Sequence, residues 1–129
     1  VPPMWNGVVD VQDVAEAHIR AAFNPNAKGR YIICGETLSL LEIGKILRQA
    51  FGPKYPFPRN QLPKTAFKIF GPIVGFSRQF VELNMGYPIH FNAQKSQDEL
   101  GMTYRPVRES LVEHFQQLLN DGVVKKYIP

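Results

Sequence analysis

The segment VVDVQDVAEAHIRAAF, which begins at Val8, constrains the fold more than any other stretch because its hydrophobic period changes part-way. Residues 8–11 alternate apolar and acidic side chains, which predicts a short strand. From Asp13 the apolar residues recur at helical spacing, so we predict a helix over residues 14–23 with Asp13 as its N-cap. Its apolar-leaning stripe consists of Ala15, His18, Ile19 and Ala22. The chain thus opens on a finished strand-to-helix corner.

Caps and turn residues define the next elements. Residues 30–34 are rich in β-forming side chains and predict a buried strand. Ser39 and Glu42 form a capping-box pattern for a helix that reaches about residue 50, where Gly52 and Pro53 stop it. The stretch KYPFP that follows is predicted to be extended and suits an edge strand, because prolines cannot donate to a central ladder.

The second half of the sequence is predicted to be mainly helical. Its elements in chain order are a helix at 63–70, a helix at 76–84, a strand at 89–92, a short helix that ends at Gly101, and a last helix that starts near Val107 and stops before Gly122. The breaker GPIVG separates the first two helices. Ser96 and Glu99 repeat the capping pattern for the short helix. Strands and helices alternate early and helices dominate later, which predicts an α/β fold.

The bulk composition describes an ordinary folded domain. The 129 residues suffice for one domain with a modest core. The sequence contains no apolar run long enough to cross a membrane and no secretory leader pattern. The single cysteine, Cys34, cannot form an internal disulfide, and its apolar surroundings predict a core position. These features favour a cytoplasmic protein.

The net charge of +4 is unevenly distributed. No acidic residue occurs between Glu42 and Glu82, whereas seven bases do: Lys45, Arg48, Lys54, Arg59, Lys64, Lys68 and Arg78. Such a block can face the phosphates of a nucleotide, a nucleic acid or a membrane, or it can be a solvated surface.

The residues alone reveal no catalytic, cofactor-binding or metal-binding set. His18, His90 and His114 are far apart and lack partners at metal-ligand spacing. No G-x-S-x-G motif is present. The glycines of GPIVG follow a predicted helix rather than a strand, so they lack the context of a phosphate-binding loop. Two prolines separate Tyr55 from Arg59, so their spacing does not indicate an activated tyrosine.

Three ordered segments resemble the extended short-chain dehydrogenases/reductases, in particular the dihydroflavonol, cinnamoyl-CoA and aldehyde reductase group. They are the corner VDVQDVAEAH, the strand GRYI at 29–32, and KSQDELGMTYRP at 95–106. The structural motif residues matched in these segments include Asp13, His18, Arg30, Lys95 and Arg105. Sugar-nucleotide epimerases/dehydratases and hydroxysteroid dehydrogenases fit this pattern less well.

The resemblance implies that the chain is the C-terminal portion of a longer enzyme. Members of the family bind NAD(P) through a glycine-rich turn and use a Tyr-x-x-x-Lys pair, and both motifs lie upstream of the corner. Residues 1–52 would then complete the nucleotide-binding domain, with an incomplete parallel sheet, and residues 53–129 would form the substrate-binding or lid region and the C-terminal helix. The implied substrate is a small carbonyl compound. Met4, Trp5, Phe76 and Phe80 are the expected substrate-lining residues, and the chain alone would be inactive and bind no cofactor.

Two alternatives come from other functional classes. The basic block would suit a small module that binds nucleic acid or an anionic surface, with affinity that falls steeply with salt. A non-catalytic regulatory paralogue of the reductases would keep the same fold.

We predict that the chain self-associates. The strand at 30–34 would normally pair with a neighbour outside this chain, which leaves an open edge and an uncovered apolar face. Size-exclusion chromatography with light scattering tests this, and a clean monomer at micromolar concentration would contradict it.

Overall fold

The computed structural model of the chain describes residues 1–124. Its elements in order are β1 (Trp5–Val8), α1 (Val11–Phe23), β2 (Glu36–Ser39), α2 (Leu40–Phe51), α3 (Lys64–Phe70), a 3-10 turn (Gly71–Val74), α4 (Arg78–Asn84), α5 (Gln94–Leu100) and α6 (Val107–Asn120). The mixed α/β class is confirmed. The last five residues of the predicted 53–129 unit lie outside the described part.

The two strands form an antiparallel pair, in which Trp5 lies opposite Ser39 and Val8 opposite Glu36. The expected incomplete parallel sheet is therefore not found among residues 1–124. The strands predicted at 30–34 and 89–92 and in KYPFP are irregular segments in the structure. A segment becomes a strand only when a neighbour completes its backbone hydrogen bonds, and β1 and β2 already pair with each other.

The corner forms three residues earlier than predicted because Asp10, not Asp13, caps α1. The Asp10 backbone is extended, with φ −69° and ψ 139°, and its carboxylate accepts a hydrogen bond from the Gln12 N–H at 2.8 Å. Asp13 lies in the first helical turn, is 1% exposed, and accepts the Arg105 N–H at 2.9 Å. Both positions suit an aspartate locally, and the tertiary bond to Arg105 decides between them.

Helix α1 packs on α5 through a face that the sequence pattern did not identify. Ala17 joins Leu100 and Met102 in a buried cluster that also includes Tyr104. Arg20 donates hydrogen bonds to the carbonyl oxygens of residues 100 and 101. The predicted stripe of α1 faces outward instead. The apolar row that the helix exposes consists of Val11, Ala15, Ile19 and Phe23.

Helix α2 follows the sequence prediction closely. Ser39 and Glu42 form a full capping box, and Gly52 ends the helix with φ +79°. Gly44 allows the proline-rich segment to pass close by, because a Cβ there would lie 2.5 Å from the Pro58 ring.

The segment KYPFP packs its aromatic rings instead of pairing as an edge strand. The Phe115 ring of α6 lies 5.3 Å from the Tyr55 ring and 5.0 Å from the Phe57 ring. Phe51 of α2 lies 4.7 Å from the same Phe115 ring. These contacts hold α2 against α6.

The prediction that Ser96 caps α5 is wrong, because the helix begins earlier in the sequence. Ala93 is the N-cap of α5, and Ser96 lies inside the helix, where its hydroxyl donates to the Ala93 carbonyl at 2.6 Å and contacts the Tyr104 hydroxyl at 2.6 Å. Gly101 ends α5 with φ +63°, as predicted. Helix α6 also begins at Val107 as predicted.

Asp10 makes the stability of the fold sensitive to acid. The Ser110 hydroxyl at 2.6 Å, the Gln12 N–H and the nearby Arg105 guanidinium favour the ionised form, so the pKa of Asp10 is lowered. A lowered pKa adds stability above the unfolded pKa of about 3.9 and loses it as pH falls through the lower folded value. We expect Asp10→Asn to reduce the fall in thermal midpoint between about pH 5 and pH 2.5, followed by circular dichroism.

Ser110→Ala serves as the graded comparison, because it removes one of the bonds to the carboxylate and keeps the charge. Its acid slope should lie between those of the unaltered chain and Asp10→Asn. Equal slopes in all three proteins would show that Asp10 does not carry the effect.

Candidate functional site

The predicted lining residues Phe76 and Phe80 come together beside α3. Their rings are stacked with centroids 5.7 Å apart, and the Phe76 ring meets the Phe67 ring edge-on at 6.1 Å. Phe80 is 37% exposed and Phe76 is partly buried. The three rings form an apolar cluster in which Phe80 is partly exposed, and such a cluster suits contact with an apolar or aromatic molecule.

A charged network next to these rings fixes α3 against α4. The Lys64 ammonium donates to the Glu82 carbonyl oxygen at 2.8 Å and to the Tyr87 hydroxyl at 3.1 Å, and it lies 4.2 Å from the centre of the Tyr87 ring. The Glu82 carboxylate accepts from Lys68 at 2.6 Å and from Lys64 at 3.4 Å. Glu82 thus binds two of the seven bases that lie between Glu42 and Glu82 in the sequence.

The protonation of this network is set by these contacts. The hydrogen bond from Lys68, together with the charges of both lysines, lowers the pKa of Glu82. Partial burial opposes the Lys64 charge, but Tyr87 and Glu82 outweigh it and raise the pKa of Lys64. Both shifts favour the charged forms of Lys64 and Glu82.

Sequence reasoning missed this network. The four-residue spacing of Lys64 and Lys68 on one predicted helix was the available signal, since it places both bases on one face. That they meet Glu82 depends on how α4 packs on α3.

Met4 and Trp5, the other predicted lining residues, lie at the start of β1: Met4 precedes the strand and Trp5 is its first residue. Both are partly buried, and Trp5 pairs with Ser39 in the sheet. The carbonyl of Pro3 accepts the Gly86 N–H at 2.8 Å, immediately before Tyr87. The structure therefore brings the backbone beside Met4 to the end of α4, whereas the ring contacts of Phe76 involve Phe67 and Phe80.

Of the residues matched to the family motifs, Lys95 contacts a distant loop, whereas Arg30 and His18 lie at the surface. Lys95 donates to the Lys28 carbonyl at 2.8 Å and lies over the Tyr31 ring at 4.4 Å, which fastens the 28–31 loop to α5. Arg30 keeps its side chain exposed. His18 is also exposed, and its Nδ1 bonds the Val14 carbonyl of its own helix at 2.7 Å.

The starts of α1, α2 and α6 are poor sites for a pyrophosphate. A dinucleotide binds where the N–H groups of a helix start are open and no acid competes. Asp10 caps α1, Glu42 occupies the first turn of α2, and Glu109 lies in the first turn of α6. These three helices therefore do not fit the phosphates of NAD(P).

The described residues hold no other chemical centre of note. Among residues 1–124 no group of three His, Cys, Asp or Glu side chains is placed to hold a metal ion. Cys34 is a buried free thiol, as its apolar context predicted. No helix of the described part is long and apolar enough to span a membrane.

Comparison with known proteins places these observations in a family. No protein-family model matches the chain. Cinnamoyl-CoA reductase 2 of Arabidopsis thaliana is 32% identical over 114 residues, which are 88% of this chain and 29% of that protein. Cinnamoyl-CoA reductase 1 of Oryza sativa subsp. japonica is 34% identical over 105 residues, 81% of this chain and 25% of that protein. The chain matches the C-terminal portion of the extended short-chain dehydrogenases/reductases. The resemblance inferred from its motifs is confirmed.

Two further similarities agree with this. An anthocyanidin reductase of Vitis vinifera is 39% identical over 53 residues, 41% of this chain and 15% of that protein. The crystal structure of gox2253 superposes with a TM-score of 0.72 at 21% identity, over 95% of this chain and 39% of that one, which shows a shared fold. The chain spans only 25–29% of the cinnamoyl-CoA reductases named above.

We expect Lys64→Met to lower the thermal midpoint more than Lys68→Met. Each change removes a lysine that forms an ion pair with the Glu82 carboxylate. Only Lys64 also bonds the Glu82 carbonyl oxygen and the Tyr87 hydroxyl. An exposed ion pair contributes little by itself, so the difference measures the additional contacts of Lys64. Equal midpoints for the two variants, compared by circular dichroism, would show that α3 and α4 do not depend on this bond.

Proposed function

We propose that this chain is the substrate-binding part of an NAD(P)-dependent carbonyl reductase that acts on aldehyde- or dihydroflavonol-type substrates. The observation that carries the proposal is the similarity to cinnamoyl-CoA reductases over more than four-fifths of the chain, combined with coverage of only about a quarter of their length. By itself the chain is inactive, because its sequence lacks the glycine-rich turn and the Tyr-x-x-x-Lys pair.

In this proposal residues 1–52 complete the nucleotide-binding domain and residues 53–129 form the substrate side. The exposed apolar row of α1 supports the first assignment, since an apolar helix face in water is normally covered by another part of a protein. The acidic helix starts support the view that NAD(P) is held by residues outside this chain. The bound dinucleotide would supply the hydride.

The role of this chain is then to bind and orient the carbonyl compound. The Phe76 and Phe80 rings offer an open apolar surface, and the Lys64–Glu82 contacts hold the two helices that carry it. Met4 and Trp5 would approach the same compound from the start of β1. Exclusion of water by these side chains would strengthen the electrostatic interactions that act on the carbonyl. The cytoplasm is the proposed compartment.

The first experiment is the intact mass of the native protein by immunoblot and mass spectrometry. The proposal requires a native chain several times heavier than the 14.7 kDa of this one. A native species of 14.7 kDa would refute it.

The second experiment uses that longer chain, with oxidation of NADH or NADPH followed in the presence of aldehydes and ketones of increasing size. Phe76→Ala and Phe80→Ala should each raise KM for bulky carbonyl compounds roughly tenfold, because each removes apolar contact with the substrate. Short aldehydes should be affected less. Phe91→Ala is the matched control, since Phe91 is similarly exposed and lies next to Gly7 rather than in the Phe76 cluster. Unchanged KM in both test variants would remove these residues from the proposed site.

A further inference from the structure

The end of α3 and the turn after it expose large apolar side chains in an unusual concentration. The side chains of Ile69, Phe70 and Ile73 are 66%, 60% and 82% exposed, and Leu83 on the adjacent α4 is 69% exposed. We call these four residues the apolar tip. Isolated exposed apolar residues are common, but several on one compact unit indicate a surface that contacts something other than water.

The backbone presents this tip as a firm unit. The Phe76 N–H bonds the Gly71 carbonyl at 2.8 Å, which closes the turn. Gly71 is buried, and a Cβ there would lie 3.1 Å from the Phe76 carbonyl oxygen, so the turn leaves little room for a side chain at this position. Gly75 ends it with φ +91°. The exposed side chain of Ile73 therefore lies on a turn whose backbone is fixed by a hydrogen bond.

Basic residues adjoin the tip. Lys68 and Arg78 line one groove together with Ile69 and Glu82, with a volume of about 560 Å³. Glu82 is the one acid of that groove and already binds Lys68. No acidic side chain occurs from residue 43 to residue 81. Lys68 and Arg78 carry two positive charges against the one negative charge of Glu82, so the groove beside the tip has a net charge of +1.

We propose that the apolar tip docks on an anionic lipid surface. Apolar side chains that enter the acyl boundary, flanked by bases that meet anionic headgroups, are the combination by which a protein lies on a membrane without spanning it. Because Glu82 already binds Lys68, Arg78 is the base of this groove whose charge complements phosphatidylserine or phosphatidylinositol headgroups. This location is additional to carbonyl reduction and would place the chain where apolar carbonyl compounds dissolve.

The mainly aliphatic composition of the apolar tip favours a lipid surface over a nucleic acid as its partner. Single strands are bound by bases stacked on aromatic rings over a basic groove. Three of the four tip residues are aliphatic and offer no ring for stacking, whereas they are well suited to acyl chains. A nucleic acid is therefore an alternative occupant that the experiment must reject.

The test is co-sedimentation of the 129-residue chain with vesicles of phosphatidylcholine alone or with about one-third phosphatidylserine. Binding is expected only with phosphatidylserine and should weaken as salt rises. The double variant Phe70→Ser, Ile73→Ser should weaken binding about tenfold or more, and Arg78→Glu about fivefold or more. These side chains are exposed, so the variants should fold, which circular dichroism checks.

Two control variants distinguish binding through the apolar tip from non-specific adsorption of the protein to vesicles. Phe23→Ser removes a phenylalanine of α1 that is more exposed than Phe70, and Arg30→Glu reverses an exposed charge elsewhere. Both should leave vesicle binding unchanged. Failure to sediment with phosphatidylserine vesicles, equal loss in the controls, or preferential binding of a single-stranded oligonucleotide would each overturn the proposal. Repeating the assay on a longer native chain also decides it, since loss of binding there would mean that the tip is covered. Carbonyl reduction is measured without vesicles, so either proposal can fail alone.

Discussion

A buried carboxylate holds the two ends of the described chain together. Asp13, which is 1% exposed, accepts the backbone N–H of Arg105, and the Arg105 guanidinium lies 3.6 Å from both Asp13 and Asp10. A buried charge is tolerated only when it is bonded. The corner of β1 and α1 is therefore linked to the start of α6 across 92 residues of sequence. With that link in place, α5 packs on α1 and α6 is directed back onto α2.

The sequence predicted elements well where local chemistry decides them. The capping box of Ser39 and Glu42 and the stop at Gly52 act within a few residues, and α2 formed as expected. Two aspartates three residues apart could both cap α1, and the choice between them depends on Arg105. Ser96 has the residue type of a cap but serves a bond to Tyr104 from inside its helix. Such errors arise because a partner distant in sequence decides which hydrogen bond a side chain forms, while the neighbouring sequence stays compatible with either role.

The candidate site shows the same division. Phe76 precedes Ser77, the N-cap of α4, and Phe80 lies in the first turn, so the stacking of their rings depends on local structure at the start of α4. The Lys64 network was not predicted because its acceptors lie 18 and 23 residues away on other segments. The family, by contrast, could be recognised from three motifs alone. The motifs identify the family even though the strand predicted at 30–34 does not form.

The two faces of α1 have a consequence for how the sequence can vary. Ala17 packs against Leu100 and Met102, so substitutions there should be matched by substitutions elsewhere in this chain. Val11, Ile19 and Phe23 point away from that cluster and are exposed. If another part of a longer protein covers them, their substitutions should covary with residues that this chain does not contain. The thirteen residues of α1 would then covary with two separate sets of partners, one within this chain and one outside it.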